Sequence, residues 1–305
     1  MKKLRIVVIV FLLFIGIIII GFISGILSIP SIKSISNRWG EVTNDTTEII
    51  SSITIENNNP FSVIIPRVDV DYTVKMNNIE MAHGTVEEIN LRKGETTLDV
   101  TSYFDNTKIC EWWVSHIKNN ETTIVEIQPV VVIDAEFTEP EIETTSKTIQ
   151  INTNLISDIN TVDEKTINVG PINLTLKSIS ANWGNITNET TELLLNISVY
   201  NPVPYSIPMP HITYNISMNN ITIGNGSIND NLILKANNYS AINLVTKINN
   251  SLIDEWFVSH LQNNEYSILE IIINAEIKYK EISYFIDELL NYIYEFDTDI
   301  LGHGL

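Results

Sequence analysis

The chain has 305 residues, a formal net charge of −19 and 44% hydrophobic residues, enough apolar material for packed cores and too much for wholesale disorder. Lys2, Lys3 and Arg5 hold part of its positive charge, so the remainder is more acidic still, and such a surface repels nucleic-acid backbones. Cys110 is alone, which excludes an intrachain disulfide and leaves stability to core packing.

Residues 1–5 read as a basic stub and residues 6–29 as an apolar run with no charge and no proline. About 20 such residues cross a hydrocarbon core of roughly 30 Å, so the run predicts an uncleaved transmembrane helix. A cleaved signal peptide is the competing reading, but its apolar core is usually shorter and no small-x-small site follows. Basic residues ahead of the run place the N-terminus in the cytoplasm and the rest outside. The expected localisation is therefore the cell membrane, single-pass, with the membrane itself as the first partner.

The strongest signal beyond the run is an internal repeat. Ile32-Lys33-Ser34-Ile35-Ser36-Asn37-Arg38-Trp39-Gly40 returns as Leu176-Lys177-Ser178-Ile179-Ser180-Ala181-Asn182-Trp183-Gly184. Met76-Asn77-Asn78-Ile79 returns as Met218-Asn219-Asn220-Ile221, Glu111-Trp112-Trp113-Val114-Ser115-His116 as Glu255-Trp256-Phe257-Val258-Ser259-His260, and Asn119-Asn120-Glu121 as Asn263-Asn264-Glu265. A period this long means duplicated domains. Residues 30–157 form the first expected domain, 158–171 a linker and 172–302 the second.

Within each copy the apolar residues alternate. Val68, Val70, Tyr72, Val74 and Met76 interleave with Asp69, Asp71, Thr73 and Lys75, and Ile212, Tyr214, Ile216 and Met218 follow suit. That period predicts antiparallel strands with one wet face. Asn77-Asn78 and Asn219-Asn220 occupy two-residue hairpin turns, where asparagine tolerates positive φ. Helical spacing appears once per copy, at Ile109, Trp112, Trp113, Val114 and Ile117 in the first. Long last strands follow, over Thr122–Phe137 and Tyr266–Ile277.

After the first strand of each copy comes an asparagine- and proline-rich exit, Asn57-Asn58-Asn59-Pro60-Phe61 and Asn201-Pro202-Val203-Pro204-Tyr205. Proline ends a strand and the aromatic is placed to anchor the segment in the core. This exit, the alternating strand after it and the Trp-bearing helix before a last strand resemble the WHy (water stress and hypersensitive response) domain of the late embryogenesis abundant group 2 family. The resemblance covers both repeats. It implies a mainly β fold of two immunoglobulin- or fibronectin-like β-sandwiches, each with one added helix. It also implies protective or interaction roles without catalysis.

Three sets of residues carry candidate chemistry. Trp112 with His116, and Trp256 with His260, share a helix face at i, i+4 spacing, a pattern that fits a structural pair better than a metal site. Asp69-Val70-Asp71 and Asp297-Thr298-Asp299 lack the spacing of a calcium loop and read as solvated surface. Asn-x-Ser/Thr acceptors crowd the second copy, at Asn173, Asn185, Asn188, Asn196, Asn215, Asn220, Asn225, Asn238 and Asn249. The sequence thus predicts a membrane-tethered, extracytoplasmic, non-enzymatic interaction or stress-protective envelope protein that needs no cofactor. Its expected partner is an envelope protein, lipid or glycan, and the alternative reading is a lipid- or glycan-binding protein using a sheet face or inter-domain cleft.

Overall fold

The computed structural model describes residues 31–59, 63–65, 68–86, 89–133, 141–143, 146–160, 164–169, 172–229, 232–279, 282–298 and 300–301. The fold is mainly β, as the alternation predicts. The expectation of a transmembrane helix is corrected. The run 6–29 lies outside the described residues, and among those described no helix is long and apolar enough to cross a membrane. The two longest have 10 residues each, about 15 Å of rise against a core of about 30 Å. The single-pass localisation and the membrane as partner rested on that helix and are likewise not supported.

By backbone contacts the chain forms two compact units whose limits differ from those of the repeat. The first gathers the described residues up to Trp112, Thr122–Ile151 and those from Thr298 onward; the second gathers Trp113–Glu121 and Asn152–Asp297.

In the first unit, β1 (Ser31–Val42), β2 (Thr46–Asn57), β4 (Val68–Met76), β5 (Ile79–Val86), β7 (Gly94–Asp105), β8 (Thr122–Ile133) and β10 (Lys147–Asn152) form one sheet in the order β1-β2-β7-β5-β4-β8-β10. β9 (Glu141–Glu143) pairs with β8, while β3 (Val63–Ile65) and β6 (Ile89–Leu91) make a separate short ladder. Period-2 burial places Ile49, Ile53 and Ile55 of β2 in the core beside Val100 of β7. The helix α1 (Ile109–Lys118) begins in this unit and passes to the second at Trp113.

The second unit opens with α2 (Leu155–Ile159) and β11 (Lys165–Val169). Within the expected linker, 158–171, the described residues include β11, which pairs with the next strand from Lys165↔Leu176 to Val169↔Ile172. One sheet runs β11-β12 (Ile172–Ile186)-β13 (Thr190–Asn201)-β18 (Asn238–Asn249). The other runs β16 (Ile221–Ile228)-β15 (His211–Met218)-β19 (Tyr266–Tyr279)-β20 (Ile282–Asp297). β14 (Ile207–Met209) and β17 (Leu232–Leu234) repeat the short ladder, and α3 (Ile253–Gln262) repeats the helix. The arrangement is sandwich-like. Leu193, Leu195, Ile197 and Val199 line its core from β13, and Leu269, Ile271 and Ile273 from β19.

Both hairpin turns have the anticipated geometry, with φ of 51° and 66° at Asn77 and Asn78, and 50° and 66° at Asn219 and Asn220. The edge strand β20 is interrupted. Ile273 pairs with Leu290 but Ala275 pairs with Ile286, so Asp287, Glu288 and Leu289 stand opposite Asn274 alone. Glu288 takes a φ of 51°, and its N–H donates to Asn274 Oδ1 at 2.8 Å.

A tyrosine braces each unit at a repeated position. Tyr72 pairs with Gly84 across β4 and β5 and hydrogen-bonds Ser102 Oγ at 2.6 Å. Tyr214 pairs with Gly226 across β15 and β16 and donates to the Val245 carbonyl at 2.6 Å. Each ring covers its glycine so closely that an added Cβ would meet the phenol oxygen at 2.2 Å. Gly226→Ala is therefore expected to destabilise by about 1–3 kcal/mol, the usual range for an overpacked core. Urea unfolding measures this, and an unchanged midpoint would show that the phenol swings aside freely.

Candidate functional site

The strand-exit asparagines are structural anchors. Asn57 is buried; its Nδ2 donates to the Leu91 carbonyl at 3.1 Å and its Oδ1 accepts from the Asn59 N–H at 3.0 Å. Asn201 repeats this with the Leu234 carbonyl at 3.2 Å and the Val203 N–H at 3.1 Å. Each asparagine thus turns the chain and ties the turn to the short ladder. Pro60 and Phe61 lie outside the described residues. Pro204 is exposed, and Tyr205 corrects an expectation: the residue is 44% exposed, and its carbonyl accepts from Asn201 Nδ2 at 3.0 Å. At the second exit the buried asparagine holds the turn through its side-chain amide.

The Trp-x-x-x-His helices place their polar atoms inward. Trp112 Nε1 donates to Thr123 Oγ1, and Trp256 Nε1 to Ser267 Oγ, each at 2.9 Å. His260 Nδ1 lies 2.8 Å from the same Ser267 oxygen. The Trp256 indole N–H donates to that oxygen, and burial keeps His260 neutral at pH 7.

His116 has different partners. Its Nε2 lies 2.8 Å from Thr153 Oγ1, and that hydroxyl donates onward to Glu121 Oε2 at 3.0 Å. The order imidazole, hydroxyl, carboxylate is not that of a nucleophilic triad, in which the imidazole stands between the other two. Glu121 also accepts from the N–H groups of Leu155 at 2.6 Å and Ile156 at 3.2 Å, and from Trp183 Nε1 at 2.9 Å. The carboxylate thereby caps α2 and fixes Trp183, which meets Trp113 edge-on at 5.8 Å. It does so from a residue held at φ 56°, and Glu265 repeats that conformation at 60°.

Sequence reasoning on the histidines missed Thr123, Thr153, Trp183, Ser267 and Glu121. Their signal was nonetheless there, since Trp39/Trp183 and Glu121/Glu265 recur in the repeat. Among the described residues no group of three or more His, Cys, Asp and Glu side chains is placed to hold a metal ion.

Of the nine asparagines in the acceptor cluster, Asn173, Asn185, Asn188, Asn196, Asn220, Asn225, Asn238 and Asn249 are exposed and Asn215 is half-buried. Asn196 lies mid-strand with its Nδ2 donated to Asn243 Oδ1 at 2.6 Å. Asn249 caps the turn before α3, its Oδ1 accepting from the Ser251 N–H at 3.2 Å.

The geometry defines a protein of two β-rich units, the second sandwich-like, whose inner polar residues form framework. No protein-family model matches the chain. It is 27% identical over 126 residues to an uncharacterised protein of Methanocaldococcus jannaschii, which covers 40% of this chain and 70% of that one. A crystal structure of a protein from Archaeoglobus fulgidus is similar at 26% identity and a TM-score of 0.36, over 40% of this chain and 97% of that one. The solution structure of an Arabidopsis thaliana protein is similar at 19% identity and a TM-score of 0.27, over 43% and 89%.

Burial depresses the pKa of both histidines to about 4; the Glu121 charge opposes the shift at His116, and a Tyr266 backbone hydrogen bond opposes it at His260. A depressed histidine favours the fold fully above its unfolded pKa of about 6.5. Between that value and about 4 the unfolded chain binds a proton that the folded chain refuses, so stability falls as pH falls. The expected loss from pH 7 to pH 4.5 is about 2–3 kcal/mol per histidine. Urea unfolding at several pH values tests this, with His116→Gln and His260→Gln each removing one histidine's share of the slope. Parallel slopes in wild type and variants would refute the assignment.

Proposed function

We propose that the chain is a non-enzymatic interaction and protection module built from two WHy-like domains. One observation carries the reading: His116, His260 and Glu121, the side chains best suited to chemistry, are buried and engaged in hydrogen bonds that hold helices and strand ends. A general base must reach a substrate proton, and these groups face the interior. The acidic, polar exterior supports a protective role, because it keeps the chain dispersed while shielding partners from one another.

Drying of lactate dehydrogenase with and without the protein provides the test. Retained dehydrogenase activity is expected to exceed that given by an equal mass of serum albumin. Retention no better than albumin would remove the protective half of the proposal.

A second reading has its own observation, the exposure of eight of the nine clustered acceptor asparagines. It makes the chain a glycoprotein with sugars on turns, strand ends and, at Asn196 and Asn225, mid-strand positions of the second unit. Intact mass of the native protein decides. A heterogeneous excess over 34.5 kDa, mapped to peptides between Asn173 and Asn249, is expected. The bare polypeptide mass would end that reading.

A further inference from the structure

The outward face of the sheet β11-β12-β13-β18 carries uncharged hydrogen-bonding groups in rows. Strand register sets Ser180, Asn196 and Asn243 side by side, with Ser198 in the next row. Neighbouring strands lie about 4.8 Å apart, so the row is a regular array of hydroxyl and amide groups. Two strand positions further, the same face turns aromatic. Tyr200 pairs with Tyr239 in register, their ring centroids 5.0 Å apart and tilted by 47°. Tyr239 is 52% exposed, leaving much of its ring to water.

The first unit shows that the fold does not require this chemistry. There Glu56 pairs with Glu95, the residues 144 positions before Tyr200 and Tyr239, and Lys33 bridges to Glu56 at 2.8 Å. One sheet position is thus ionic in one unit and aromatic in the other, where Lys177 Nζ also stands 6.0 Å from the Tyr239 ring centroid.

Charge narrows the partner. The central rows carry none, and at their margin Lys177 is paired with Glu164. The chain as a whole is strongly acidic and repels polyanions. The fitting partner is uncharged, offers many hydroxyls to the amide row and has an apolar C–H face for the rings. We propose that this face binds a neutral glycan, with Tyr200 and Tyr239 against its sugar rings and Ser180, Asn196 and Asn243 on its hydroxyls. The proposal rests on the non-enzymatic interaction reading and supplies its ligand class.

The test is affinity electrophoresis of the full-length chain, produced without glycosylation, through gels holding yeast mannan, dextran or hydroxyethyl cellulose. Polygalacturonate serves as the anionic control. Retardation is expected in at least one neutral gel and not in polygalacturonate. Tyr239→Ala and Asn243→Ala should each bind about tenfold more weakly at an unchanged melting temperature, while Tyr239→Phe retains binding. Free passage through all three neutral gels overturns the proposal, as does retardation that both alanine variants keep or that polygalacturonate matches. Shortening of a polysaccharide during incubation would instead strike the non-enzymatic reading, leaving the binding face in place.

Discussion

A buried amide leaves water without loss only if its donor and acceptor both find partners, and in a chain without a disulfide that requirement organises both units. Three asparagines meet it at each repeat. Asn57 and Asn201 fix the strand exits. Asn106 and Asn250 accept from Thr47 at 3.1 Å and Thr191 at 2.9 Å and donate back to the Thr43 and Thr187 carbonyls, holding the short turn before each helix. Asn77 and Asn219 accept from the Ile124 and Ile268 N–H groups, clamping a hairpin to the start of β8 or β19. Asn57, Asn201, Asn106 and Asn250 are buried, and removing any of these four would strand a polar partner in the interior, which costs more than the bond itself contributes.

The helices extend the same logic to groups that elsewhere perform chemistry. An imidazole, a hydroxyl and a carboxylate lie within hydrogen-bonding distance around His116, yet their order and the N–H groups of α2 turn the carboxylate into a cap. Catalytic potential depends on which atom is left available, not on which residue types gather. Here the outward surfaces hold the groups that remain available, and they differ between the units where the inner frameworks agree.

Much of the fold was legible because its signals are local. Alternation at Val68–Met76 and Ile212–Met218 announced strands, and the Asn-Asn pairs announced turns whose φ angles the backbone then adopts. The repeat made every such signal appear twice. β11 and β20 were not legible. β11 lies in a polar stretch that reads as linker and becomes a strand only by pairing with β12. β20 mixes acids with aromatics, without the alternation that marks β4, because its outer half is exposed on both sides at Tyr284 and Phe285. The role of Tyr205 was misjudged for a related reason: an aromatic beside a proline suggests burial, but its backbone carbonyl satisfies the neighbouring asparagine. Apolar residues advertise burial, whereas an amide reveals its role only once its partners are placed.

The interruption in β20 bears on how concentrated this protein can become before chains associate. A straight, 16-residue edge strand carrying Tyr284, Phe285 and Ile293 would template another chain along its length. The turned backbone at Glu288 breaks the pairing of that edge into two shorter runs, and Asp287 beside it adds charge at the break. Neither run alone offers the long, flat, uncharged segment on which fibrils grow. The bulge that sets three residues opposite Asn274 alone thus acts as a gatekeeper against self-assembly, on the same strand that closes the sheet.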